Sequence, residues 1–148
     1  MINKNYPKYL VASAFLIFFL VSCGGKSPKP IRYGEDQCAH CRMTVSDMRF
    51  GTQLLTSKGR TYQFDDLQCM VAYVKSGSVA KEDVAAFYLP DYVNDNKMAA
   101  AEEMYLLKSE SLKSPMRGDI AAFINQEDLE QVKAEHNGEV QTWDDLWK

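Results

Sequence analysis

Histidine is scarce in this chain of 148 residues, which has two, His40 and His136. His136 closes a helical pattern with no evident nucleophile near it, which speaks against hydrolytic chemistry. Excess positive charge is also missing. Seventeen Lys and Arg stand against 20 Asp and Glu, a net charge of −3, and that excludes binding nucleic acid or anionic lipid by bulk charge. The apolar run Tyr9 to Val21, interrupted by Ser13, falls short of the roughly 20 residues that span a bilayer. A composition typical of disorder is absent too: with 46% hydrophobic and 25% charged residues, the chain suits one globular domain or two small ones.

What is present begins with a leader. Lys4 and Lys8 precede the apolar run, and Leu20-Val21-Ser22-Cys23 ends it. Residues 1–22 therefore read as a lipoprotein signal peptide, with cleavage before Cys23 and acyl chains on that residue. Residues 23–32, rich in Gly, Pro and Lys, read as a lipidated flexible tether, with folded structure expected from about Tyr33. The expected location is the cell envelope, lipid-anchored to a membrane and facing the periplasm. Loss of Lys4 and Lys8 makes the mature chain more acidic still.

Lipidation of Cys23 leaves Cys38, Cys41 and Cys69, an odd number that cannot all pair within the chain. Bound metal would explain unpaired thiols in an oxidising compartment. Cys38-Ala39-His40-Cys41-Arg42-Met43 concentrates soft donors. A Cys-x-x-Cys turn brings two sulfurs to one point, as a metal knuckle or a reducible pair. Met43 adds a neutral, polarizable donor of the kind Cu(I) accepts and zinc seldom uses.

The remaining pattern predicts an α+β fold of two small ββαβ units packed together, the first opening with the Cys-x-x-Cys turn. The first unit, residues 33–95, has strands Gly51 to Thr56 and Arg60 to Phe64 around Ser57-Lys58-Gly59. Asp65 is the expected N-cap of a helix that carries Leu67, Met70, Val71 and Val74 inward and closes at Ser76-Gly77. A strand Ala85 to Leu89 follows. Residues 92–101 read as loop with a short helix. The second unit, residues 96–148, has strands Met104 to Leu107 and Ile120 to Ile124 around a loop displaying Met116. Asn125 then caps a helix that Asn137-Gly138 stops, before a strand Glu139 to Trp143. Cys69 falls in the first two turns of the first helix, so knuckle, hairpin and helix start can gather three sulfurs. That order of parts also suits a zinc-stapled structural or interaction domain using Cys38, Cys41, Cys69 and Asp66. A thiol-disulfide oxidoreductase using Cys38 and Cys41 is the enzymatic alternative, although its motif normally opens a helix and here a hairpin follows.

Four motifs in order, Cys38 to Met43, Phe64-Asp65-Asp66-Leu67-Gln68-Cys69-Met70, Ser114 to Phe123, and Gly138 to Leu146, resemble those of the NosL family, copper-binding accessory lipoproteins of nitrous-oxide reductase. The resemblance runs from about Tyr33 to the C-terminus. It implies paired ββαβ units and a Cu(I) site formed by Cys41, Met43 and Met116. Cys38 is open to three roles there: fourth ligand, exchange ligand, or disulfide partner of Cys41. The implied activity is non-enzymatic copper delivery, with a membrane ABC-type maturation complex and nitrous-oxide reductase as partners. Where the family commonly has glycine, before the first Met and after the later one, this chain has Arg42 and Arg117.

Overall fold

A computed structural model describes residues 27–95 and 97–148. The expected signal peptide, residues 1–22, and the expected lipidation site Cys23 lie outside the described residues. Two antiparallel sheets form the frame. In the first, β1 (Thr52–Thr56), β2 (Thr61–Phe64), β3 (Val84–Pro90) and β4 (Met98–Ala100) stand in the order β2-β1-β3-β4. In the second, β5 (Tyr105–Lys108), β6 (Ile120–Phe123) and β7 (Glu139–Gln141) stand in the order β6-β5-β7. Helix α1 (Leu67–Lys75) lies between β2 and β3 in the chain, and α2 (Gln126–His136) between β6 and β7. Both units are thus ββαβ, with the first strand central in its sheet.

The local chemistry explains most boundaries. Gly59, at φ +80°, makes the tight turn between β1 and β2. Leu67, Cys69, Met70 and Val74 recur at helical spacing and form the buried face of α1. Asn137, in the left-handed region at φ 49°, ends α2.

Four boundaries differ from the sequence reading. The N-cap of α1 is Asp66, whose side chain accepts from the Gln68 N–H; Asp65 instead accepts from the backbone and hydroxyl of Ser46. Residues 98–100 form β4 and belong to the first sheet, paired with β3. Beyond β7, the chain turns into a 3₁₀ segment, Trp143–Trp147, fixed by a capping box between Thr142 and Asp145. Its two indoles pack on Phe87 at ring-centroid distances of 5.1 and 5.4 Å. Ordered contacts also start before Tyr33: the Lys29 N–H donates to Gln53 Oε1 at 2.9 Å, and Ile31 packs against the core.

Alternation along β5 joins the units. Leu106 points into the larger core, built on Leu54, Phe64, Met70 and Leu89 of the first unit, whereas Leu107 points into a second cluster with Phe123, Leu129 and Val132. Both are fully buried. The second sheet is therefore covered on one face by its own helix and on the other by the first unit.

Candidate metal centre

The Cys-x-x-Cys segment folds as a small hairpin, closed by the bridge between Gln37 and Thr44 and by the Cys38 N–H donating to the Met43 carbonyl at 2.8 Å. Inside it, the Arg42 N–H donates to the Cys38 carbonyl at 3.0 Å. The Ala39 N–H donates to the Gln63 carbonyl at 2.8 Å and ties the hairpin to β2. Such a turn needs a left-handed residue, and Arg42 takes that place at φ 67°. Helix α1 begins three residues after Phe64, which brings Cys69 beneath the knuckle.

The result is a cluster in which the Sγ atoms of Cys38, Cys41 and Cys69 all lie within 4.8 Å of one another. All three thiols are free; Cys38 and Cys69 are buried and Cys41 is half-buried. The Cys38 sulfur accepts from the Cys69 thiol and from the N–H groups of Cys41, Asp65 and His40, which hold it well below the ordinary thiol range against its burial. The bond that Cys69 donates to Cys38 pushes the Cys69 thiol up, and burial adds to the effect. Burial also raises Cys41, partly offset by the Met43 N–H. Burial raises Asp65 beside them, against the two bonds from Ser46. Three converging cysteine sulfurs make a compact, soft donor set.

Met43 extends from the same hairpin into solvent, 57% exposed. Met116 arrives from the other unit, on the connection 109–119 between β5 and β6. It is half-buried and packs, with Cys41, against the main core. Asp66 holds it there. The carboxylate of Asp66 accepts from the Ser114 hydroxyl at 2.5 Å, the Met116 N–H at 3.2 Å and the Gly118 N–H at 3.4 Å, besides capping α1. Ser114 is locked in turn by the Asp119 N–H, which donates to its hydroxyl at 2.7 Å. Gly118 passes so close that a Cβ there would stand 2.6 Å from Asp66 Oδ1. Arg117, next to Met116, is left-handed at φ 62°.

The expected donors Cys38, Cys41, Met43 and Met116 therefore come from one hairpin and from one loop docked at the start of α1. Cys69 joins them as a third thiol. His40 is exposed and stands outside the three-cysteine cluster. The zinc reading is corrected at Asp66: its carboxylate is occupied by four protein donors and is not part of that cluster. Asp66 as the anchor of the Met116 loop was missed by sequence reasoning. The available signal was a serine, a glycine and an aspartate around Met116, the residues a tight polar loop needs.

The NosL family model matches residues 31–148. The crystal structure of the copper chaperone NosL from Shewanella denitrificans shares the fold, with a TM-score of 0.70 at 17% identity, covering 81% of this chain and 95% of that one. Among curated proteins, none matches the sequence.

Proposed function

The chain belongs to the NosL family, and from that premise we propose that it is a membrane-anchored Cu(I) carrier that delivers copper for assembly of nitrous-oxide reductase. In this reading Cys41, Met43 and Met116 hold the cargo, and Cys38 is an auxiliary donor. The observation that supports it is the cluster of three free thiols that includes half-buried Cys41, in the hairpin that carries exposed Met43, with the Met116 loop docked on Asp66 at the start of the helix that carries Cys69.

The chemistry suits a carrier. One thiolate and two thioethers form a neutral, three-coordinate site for Cu(I). Loading releases the Cys41 proton, so binding weakens as pH falls. Exposed Met43 is the first ligand an acceptor displaces, and copper then leaves by ligand exchange without a change of oxidation state. Cys23 would tether the domain by its acyl chains, facing the periplasm. A membrane ABC-type complex and nitrous-oxide reductase are the partners this reading assigns. No chemical transformation of a substrate is assigned: the Cys38 and Cys41 pair lies in a hairpin turn, not at the head of a helix as in thiol-disulfide oxidoreductases.

The test is anaerobic Cu(I) competition against a chromogenic chelator, followed by transfer to copper-free nitrous-oxide reductase. Cys41→Ser, Met43→Ala and Met116→Ala should each weaken binding by about tenfold or more, equivalent to about 1.4 kcal/mol. Unchanged affinity in both methionine variants, or no gain of copper by the reductase, contradicts the proposal.

A further inference from the structure

Three cysteines are more than the Cu(I) site just described requires. We infer that Cys38, Cys41 and Cys69 form a second, inner seat for Cu(I), which shares Cys41 with the outer thioether set and holds the ion more weakly when that set disengages. This inference rests on the carrier reading and deepens it.

The geometry supports an all-thiolate seat. A soft ion held at about 2.3 Å by three sulfurs defines a triangle with edges near ~4.0 Å. The three Sγ atoms already lie within 4.8 Å of one another, so modest side-chain rotation closes the triangle. A merely packed thiol has no need of two further thiols, yet the sulfurs of buried Cys38 and Cys69 converge with that of Cys41.

The donor count selects the metal. Structural zinc wants four ligands, and the two neighbouring carboxylates are already engaged, Asp66 by the Met116 loop and Asp65 by Ser46. Cu(I) is content with three soft donors. Cys41 is half-buried, whereas Cys38 and Cys69 are buried and Met43 is exposed, and it can act as the pivot. Moving inward, copper breaks its bonds to the sulfurs of Met43 and Met116 and forms bonds to those of Cys38 and Cys69. Any proton remaining on those thiols goes to solvent, and copper stays in the +1 state throughout. The outward step reverses each exchange. One ion thus has two positions, a transferable outer one and a weaker inner one.

The full chain carrying Met43→Ala and Met116→Ala together, loaded with one equivalent of Cu(I), tests this by X-ray absorption at the copper edge. Both changes lie on the outer set and leave the cysteines intact. The expected result is one bound copper with three sulfur scatterers. Loss of the copper, or a single sulfur completed by nitrogen or oxygen, overturns the inner seat. Adding Cys69→Ala to that background should reduce the sulfur count to two and weaken binding at least tenfold. If instead the count and affinity stay as before, Cys69 is not a ligand and the inference fails; should this variant not fold, the parent variant alone decides. Failure of the carrier reading is separate: it shows in the wild-type chain, as bound copper that does not pass to copper-free nitrous-oxide reductase.

Discussion

The two ββαβ units share an architecture and differ in one connection. In both, a fully buried phenylalanine, Phe64 or Phe123, ends the second strand, and the helix starts three residues later after Asp66 or Asn125. In both, the first strand is central. The hairpin of the first unit, however, closes through residues 57–60, whereas that of the second runs through 109–119. The longer connection supplies Met116 and crosses to the first unit. The caps diverge accordingly. Asp66 caps α1 and binds the crossing loop, while the Asn125 side chain makes no cap bond to the backbone of α2. One scaffold serves twice, then, and the units differ where a loop is long enough to reach a buried carboxylate in its twin.

That contrast can be broken at the caps first. Asp66→Ala should cost about 3 kcal/mol in urea unfolding, because it removes a cap and strands buried donors. Asn125→Ala should cost no more than about 0.5 kcal/mol. Equal losses would deny Asp66 its special role. Next comes Gly118→Ala, whose Cβ has no room against Asp66 and Gln68. It should push the Met116 loop away and weaken Cu(I) binding about tenfold, about 1.4 kcal/mol, in a competition assay with the helical content unchanged by circular dichroism.

A smaller effect belongs to the two arginines. Arg42 and Arg117 hold left-handed backbone, which disfavours any residue with a Cβ. Arg42→Gly and Arg117→Gly should each raise stability by about 0.5 kcal/mol, relief of strain being partly offset by the freer unfolded chain. A loss of stability in either would mean that the guanidinium makes a compensating contact. The smallest expectation concerns pH. The Arg32 N–H, with help from its guanidinium and against burial, holds the Asp36 carboxyl below its usual range. Its folded value lies below its unfolded one, so its contribution is complete above about pH 4 and fades as pH falls through the lowered value. Stability of Asp36→Asn should therefore be flatter across acidic pH than that of the parent chain, measured by thermal melts.

The duplicated scaffold was legible because its signals are local. Ser57-Lys58-Gly59 marks the turn, Leu67, Met70 and Val74 mark the inner face of α1, and Ser76-Gly77 its end. The three sulfurs were legible as a group for the same reason: their elements are consecutive. What escaped depended on tertiary partners. Asp65 and Asp66 are the same residue type at adjacent positions, and only Ser46 on one side and Ser114 on the other assign their roles. Met98-Ala99-Ala100 has little strand preference of its own and becomes β4 through pairing with Tyr88, Leu89 and Pro90. The 3₁₀ segment after Thr142 did carry a signal, Thr142 followed three residues later by Asp145, which outweighed the apparent continuation of β7.

The account stands on copper being held jointly by both units, with Asp66 acting through Met116. The most direct measurement is a double-mutant cycle on Cu(I) affinity, using Asp66→Asn, Met116→Ala and the two combined. The account predicts that each single change weakens binding about tenfold and that the combination is no weaker than Met116→Ala alone. Losses that multiply would show Asp66 and Met116 acting independently and would contradict it.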